Sequence, residues 1–304
     1  MSRPFIQANT NGRLHPATEP SIAPLNRGFL YGDAIYEVWR TYHGVVFTWD
    51  EHYARLERSA ASLYLALPWT RDDIRAEIAR TVAAFRTATN FDGDVYIRLQ
   101  VTRGSGSIGL DIGLADRADF VVLVQPCPVN TAEVMERGFR LSLAGDLRRN
   151  PIESLNPAWK TGNYLNNILG LREARARGAD DVLMLNLRGE ITEASTSNVA
   201  FVRGGEVLTP RLEEGILGGI TCHLILTRIA AAAGVPAREA VVWPADLAGM
   251  AECFLMSTTK DISPVGSIDA VRFTVGGDTV TARLKAAFAE YARAVTAAQP
   301  ERRV

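Results

Sequence analysis

Lysine is nearly absent from this chain of 304 residues. Only Lys160, Lys260 and Lys285 occur, although Lys and Arg together number 33. Arg serves wherever positive charge or planar hydrogen bonding is wanted, whereas a primary amine that loses its proton and attacks a carbonyl is offered by Lys alone. An Arg bias follows from genome composition, so rarity by itself selects none of the three. Cysteine is equally sparse. Cys127, Cys222 and Cys253 are odd in number and far apart, which excludes a disulfide framework and a C-x-x-C metal pair. The four histidines (His15, His43, His52, His223) show no H-E-x-x-H spacing, and no G-x-S-x-G elbow occurs, so neither a metal centre nor a Ser–His hydrolase is supported. No apolar run reaches the length of a membrane span, and the N-terminal "MSRPFIQANTNG" lacks the apolar core of a signal peptide. The net charge of −1 carries no basic excess for nucleic acid or anionic lipid. These absences point to a reduced, cytoplasmic, globular protein without nucleic-acid or membrane partners.

What is present reads as mixed α and β. "AIYEVWRTYHGVVFTW" predicts a hairpin around His43–Gly44. Asp50 is expected to cap a helix beginning "DEHYARL", and a second helix is expected over Arg71 to Thr89. "DVYIRLQVTRG" and "DFVVLVQP" read as strands. The Pro-flanked Cys127 region marks a linker. Further on, "FRLSLA", "ECFLMSTT" and the short runs between Asp181 and Pro210 read as strands. Helices are expected over "GNYLNNILGLREARARGA", Leu217 to Ala232 and residues 280–297. Helices and strands do not alternate regularly, which argues against a doubly wound sheet. The expectation is two α+β domains: a small one over 1–124, a linker over 125–135, and a large one over 136–304 that carries Lys160.

Several short stretches bear chemistry. "GSGSIG" (104–109) matches G-x-G-x-x-G but is followed by too few residues for a crossover helix, so it reads as a flexible loop. Gly218–Gly219, at a helix start before Thr221, suits either an ordinary turn or an oxyanion at helical amides. Thr258 and Thr259 end a strand and either bind an oxyanion or cap a turn. Arg55 is a third anion candidate or a solvated helix residue. Glu193, with Glu190 as its rival, is a plain turn residue or a carboxylate holding a heterocyclic nitrogen protonated. One amine, several oxyanion sites and one carboxylate are the kinds of group that pyridoxal phosphate requires.

In "RGFLYGDAIYEVWR", "EHYARL", "YIR", "KTGNYLNNILG", "GEITEASTSN", "LEEGILGGIT" and "STTKDISPV" the sequence resembles the fold-type IV, or class IV, pyridoxal-phosphate transaminases. That family includes branched-chain aminotransferases, D-amino acid transaminases, (R)-amine transaminases and aminodeoxychorismate lyases. The resemblance implies a two-domain α+β fold and a homodimer. It implies that Lys160 holds the cofactor as an internal aldimine and moves the proton in catalysis. Arg55, Gly219, Ile220, Thr221 and Thr258 are then expected to bind the phosphate, Leu217 to contact the cofactor, Glu193 to pair with the pyridine nitrogen, and Tyr164 with the phenolic oxygen.

The same resemblance assigns substrate contacts to Thr258 and Thr259, with Tyr31 and Arg98 helping to place the α-carboxylate. Tyr36, Val38, Trp39 and the loop at Ile108 shape the side-chain pocket, and Arg98 or Arg40 reaches a second carboxylate. "YEV" is similar to D-amino acid transaminases, but the loop "SGSIGLD" lacks their Arg-x-His pair. The expectation is therefore transfer of the amino group from L-branched-chain or aliphatic amino acids to 2-oxoglutarate by a ping-pong mechanism. The D-amino acid transaminase stands second, and the carbon–carbon lyase and the (R)-amine transaminase follow. Lys260 is the one serious rival to Lys160, and Lys285 is expected to be solvated.

Overall fold

The computed structural model describes residues 4–304. The chain forms two compact units. One comprises the chain up to Pro128 together with Trp159–Asn163 and Ala294–Val304, and the other comprises Val129–Ala158 and Tyr164–Arg293.

The first unit holds a six-stranded sheet. Its strands are β1 (Gln7–Thr10), β2 (Arg13–Pro16), β3 (Ala34–Tyr42), β4 (Val45–Val46), β5 (Val95–Thr102) and β6 (Asp119–Pro126), in the order β2-β1-β6-β5-β3-β4. A short helix α1 (Arg27–Tyr31) precedes β3, and α2 (Trp49–Ser62) and α3 (Arg71–Thr89) follow β4. Thr70 and Asp73 form a reciprocal capping box that starts α3, and Ile74, Ile78, Val82 and Phe85 form its buried stripe. These side chains share a core with Leu56 of α2 and with Ile97, Leu99, Val122 and Val124 of the sheet. Asp50 does not cap α2. The N-cap is Thr48, in a left-handed conformation without a side-chain bond, and Asp50 lies in the first turn, 2.6 Å from Arg302.

The second unit opens with α4 (Ala132–Arg137). Its strands are β7 (Phe139–Leu143), β8 (Asp181–Leu185), β9 (Ile191–Ala194), β10 (Asn198–Arg203), β11 (Glu206–Thr209), β12 (Ala237–Glu239), β13 (Glu252–Ser257), β14 (Asp261–Ile268) and β15 (Val271–Arg272). They run in the order β12-β11-β10-β13-β14-β7-β8-β9, with β15 on β14. The β7–β8, β7–β14 and β11–β12 pairs are parallel and the rest antiparallel, a mixed sheet that fits the α+β class. α5 (Leu165–Ala176) packs Ala174 beside Val182 and Met184 of β8. The helix expected from Leu217 begins at Ile220 instead: α6 (Ile220–Leu224) is capped by Gly219, passes through a π-helical turn (Ile225–Ile229), and ends as α7 (Ala230–Ala232). The last helix is α8 (Val280–Ala297).

Sequence position places Lys160 in the C-terminal domain, but its segment packs with the first unit. The Tyr36 amide donates to Lys160 O at 2.9 Å, the Gly162 amide donates to Ala34 O at 3.2 Å, and Thr161 bridges Ile35 antiparallel. The segment thus lies alongside the first residues of β3, joined to them by an isolated antiparallel bridge. The C-terminal residues join the same unit for a similar reason: the Val304 amide donates to Gly44 O at 3.0 Å.

Candidate active site

In the first unit the site is organised by the period-two alternation of β3. Tyr36, Val38 and Arg40 share one face, and Glu37 and Trp39 take the other. The β3–β5 register sets Val38 opposite Arg98 and Tyr36 opposite Gln100. On the first face the Lys160 amine lies 3.3 Å from the Tyr36 hydroxyl and 4.4 Å from the ring centroid. The Arg98 guanidinium stacks 3.8 Å from the same ring and donates to Gln100 Oε1 at 2.8 Å. Arg40 stacks on Tyr42 at 4.1 Å, and Val38 is half-buried. The amine therefore meets a phenol whose ring also carries the Arg98 guanidinium, and the Lys160 backbone is fixed by the bonds to β3 and by Ser59 Oγ at 3.2 Å.

The opposite face carries a charged cluster. Arg55 on α2 donates through Nε and Nη2 to the two oxygens of Glu37, at 2.7 and 2.9 Å, and His52 Nδ1 lies 2.8 Å from Glu37 Oε2. All three side chains are buried, which corrects the reading of Arg55 as a solvated helix residue. Glu37 is held well below the usual carboxylate range. Its burial acts against this, and the charge and hydrogen bonds of Arg55, with those of His52, overcome it. Burial pushes His52 down, and the charges of Arg55 and Lys160 push it the same way, against the pull of Glu37. The Glu37 carboxylate can only accept, so His52 donates to it from Nδ1. A histidine depressed from 6.5 contributes stability that is present above that pH and lost as pH falls through the window beneath it. Glu37, depressed from 4.5, adds a second loss below that value. Thermal unfolding midpoints taken between pH 8 and pH 5 are expected to start falling near pH 6.5, and less steeply in His52→Gln; equal slopes would contradict this assignment.

The loop at 104–111 is tied down rather than loose. Arg27, 3% exposed, donates to Gly109 O at 2.8 Å and Leu110 O at 3.2 Å, and the Tyr31 hydroxyl accepts from the Gly109 amide at 3.2 Å. Ile108 projects from it at 76% exposure. Gly104 belongs to this loop for steric reasons: its φ is +91°, and a Cβ there would lie 1.6 Å from Arg117 O. Only a single 3-10 turn (Ile112–Leu114) follows "GSGSIG" before β6, not a crossover α-helix, so the dinucleotide geometry is absent.

In the second unit Glu193 lies within β9, where a turn position was one reading. Its Oε1 accepts from Arg149 Nε and Nη2 at 3.1 and 2.9 Å, and its Oε2 from Asn198 Nδ2 and the Leu217 amide at 3.2 and 3.1 Å. The carboxylate is buried and anchored as an anion. Glu190, its rival, belongs to a different network: Arg188 holds it down to about 2, while burial raises the adjacent Glu214. Asn198 also donates to Leu217 O at 2.9 Å, so one side chain links Glu193 to the turn before α6. A Cβ on Gly219 would fall 1.9 Å from Asn198 Oδ1, which reserves this cap for glycine. The first bond of the helix runs from the His223 amide to Gly219 O at 2.9 Å, leaving the Ile220 and Thr221 amides at the helix mouth. Tyr164, half-buried, caps α5. Thr258 and Thr259 form the turn from β13 to β14.

The two rival lysines are otherwise engaged. Lys260 Nζ donates to Asp181 Oδ2 at 3.3 Å and Ser197 Oγ at 3.0 Å. Lys285, expected to be solvated, is half-buried and donates to Ile262 O at 2.9 Å. The thiols are buried, and burial pushes Cys222 up to about 11. Among the described residues no three His, Cys, Asp or Glu side chains group to hold a metal ion, and no helix is long and apolar enough to cross a membrane.

Sequence reasoning missed Glu37, His52, Arg27, Arg149 and Asn198. Glu37 had a signal, an acidic residue inside the apolar run "AIYEVW". Arg149 had none, since its partner lies 44 residues away.

The groups fit pyridoxal phosphate on their own chemistry: an amine beside a phenol, a buried carboxylate fixed as an anion, and a glycine-capped helix mouth. Residues 34–268 match the family model described as amino-transferase class IV. A Methanocaldococcus jannaschii protein described as "Putative branched-chain-amino-acid aminotransferase" is 33% identical over 85% of this chain and 86% of its own. The D-alanine aminotransferase of Listeria innocua is also 33% identical, over 92% of this chain and 94% of its own. The crystal structure of the branched-chain aminotransferase from Thermoproteus uzoniensis with norvaline superposes with a TM-score of 0.82 at 30% identity, covering 97% of this chain and 96% of that one. A Brucella abortus aminotransferase bound to pyridoxal phosphate superposes with a TM-score of 0.80 at 27% identity, covering 95% of this chain and 99% of that one. The chain belongs to the class IV aminotransferases, enzymes that work with pyridoxal phosphate.

Proposed function

We propose that the protein transfers the amino group of L-branched-chain and other aliphatic L-amino acids to 2-oxoglutarate by a ping-pong mechanism, as a cytoplasmic homodimer. The observation that carries the substrate reading is the loop held by Arg27 and Tyr31. It presents Ser105, Ser107 and Ile108, with no cationic side chain to grip a D-amino acid carboxylate. Exposed Phe29, Ile108 and Leu110 support a second copy of the chain as partner.

In this reading Lys160 is the covalent anchor and the proton carrier at the substrate α-carbon. The Tyr36 hydroxyl, 3.3 Å away, orients its amine. Arg55, the Gly219–Thr221 turn and Thr258 bind the phosphate, and Leu217 contacts the cofactor. Glu193 stays anionic through Arg149 and so keeps the pyridine nitrogen protonated, while Tyr164 bonds the phenolic oxygen. The cofactor supplies an electron sink for the bond broken at the α-carbon. Thr258, Thr259, Tyr31 and Arg98 place the α-carboxylate. Val38 and Ile108 give the pocket its apolar character, and Arg98 or Arg40 meets the second carboxylate of 2-oxoglutarate.

The "YEV" triplet at Tyr36–Val38 and the Listeria relative favour a second reading, transamination of D-alanine. Steady-state turnover separates the two. L-leucine with 2-oxoglutarate should yield glutamate with parallel double-reciprocal lines. Turnover confined to D-amino acids would overturn the first reading, and release of pyruvate from aminodeoxychorismate without an acceptor would favour the lyase.

A further inference from the structure

We propose that Glu37 is a positioning residue that fixes the Arg55 guanidinium for the cofactor phosphate; this rests on the reading of Arg55 as a phosphate ligand. Glu37 is 0% exposed at the centre of β3, in a strand whose neighbours on that face, Ile35 and Trp39, are apolar. A buried ion pair is a poor source of stability, because desolvation of both charges offsets their attraction and an apolar pair would pack at least as well. The pair is better understood by its geometry. Both oxygens of Glu37 are used, one by Arg55 Nε at 2.7 Å and one by Nη2 at 2.9 Å. A guanidinium is planar and rigid, so fixing its Nε/Nη2 edge also fixes the direction of the Nη1 edge. His52 completes the clamp. Its Nδ1 lies 2.8 Å from Glu37 Oε2 and its Nε2 has no partner among the described residues, as suits a neutral ring that donates from Nδ1. The carboxylate therefore has donors on two sides and cannot rotate away from Arg55. α2 supplies Arg55 and His52 at a spacing of three residues, so one helical face presents both to β3.

The test compares how tightly pyridoxal phosphate and pyridoxal, which lacks the phosphate, reload the resolved enzyme. Glu37→Gln should weaken pyridoxal phosphate roughly ten- to hundredfold, the worth of one charge-assisted hydrogen bond, and leave pyridoxal within about twofold. Arg55→Lys keeps the charge but loses the fork and should show the same selective loss. Glu37→Asp should recover part of it and serves if the Gln variant folds poorly. In an Arg55→Ala background, Glu37→Gln should add nothing further. Equal weakening of both ligands by Glu37→Gln would overturn the proposal by reducing Glu37 to a structural group. If Arg55→Ala removes the preference for the phosphate and Glu37→Gln does not, the proposal alone fails. If Arg55→Ala leaves the preference intact, the phosphate role of Arg55 fails and the proposal with it.

Discussion

Replacing Lys160 by Ala should abolish the visible absorbance of the bound cofactor and lower amino transfer by at least about a thousandfold. Loss of a positioned general acid–base alone is worth roughly 10²–10⁴ in rate, and in the proposed role of Lys160 the covalent anchor is lost with it. The fold should survive. Lys160 is held through its main chain, by the bond from the Tyr36 amide and the Ile35–Thr161 bridge, and none of these needs the side chain. The contrast with Lys260 makes the result specific. Lys260→Ala breaks the contacts to Asp181 and Ser197, so it should lower thermal stability while the cofactor colour remains. Absorbance, turnover and thermal unfolding of the purified variants decide the matter. A coloured, active Lys160→Ala protein would remove the anchor from this position.

Glu193→Ala is expected to have the second largest effect, on stability as well as rate. The substitution strands the Arg149 guanidinium, whose side chain is 11% exposed, orphans the Leu217 amide, and leaves Asn198 Nδ2 with only its bond to Leu217 O. Breaking a buried pair from one side costs about 3–5 kcal/mol, because the remaining charge stays desolvated. Urea unfolding of the variant should show a loss of that order. Glu193→Gln keeps an acceptor for these donors and should cost less. In its proposed role Glu193 is also the anion that keeps a pyridine nitrogen protonated, so on this proposal amino transfer should fall by about a hundredfold even where the fold is intact. A Gln variant as active as the parent would reassign Glu193 to a structural role shared with Arg149.

What could be read from the sequence was what is encoded locally. The Thr70–Asp73 capping box lies within four residues of its helix, and the expected Arg71–Thr89 bounds match those found. The start of α2 was misread because Thr48 caps it from a left-handed conformation that its residue type does not announce. Lys160 was legible as a candidate from its neighbours in "KTGNY", but its place was not. Its partner Tyr36 lies 124 residues away, and such pairing leaves no periodic trace near either residue. The same holds for Lys285, whose amphipathic helix suggested solvent while its amine reaches a β14 carbonyl. Arg55 was picked out as an anion ligand, yet the carboxylate that grips it sits on a strand read only for its apolar pattern.

The account is tested most directly by mixing the holoenzyme with single amino acids, in the absence of any acceptor, and following cofactor absorbance. L-leucine and L-isoleucine should convert the pyridoxal form to the pyridoxamine form, and 2-oxoglutarate should restore it. If the L-amino acids leave the spectrum unchanged while D-alanine converts it, the proposed stereochemistry and substrate class are wrong.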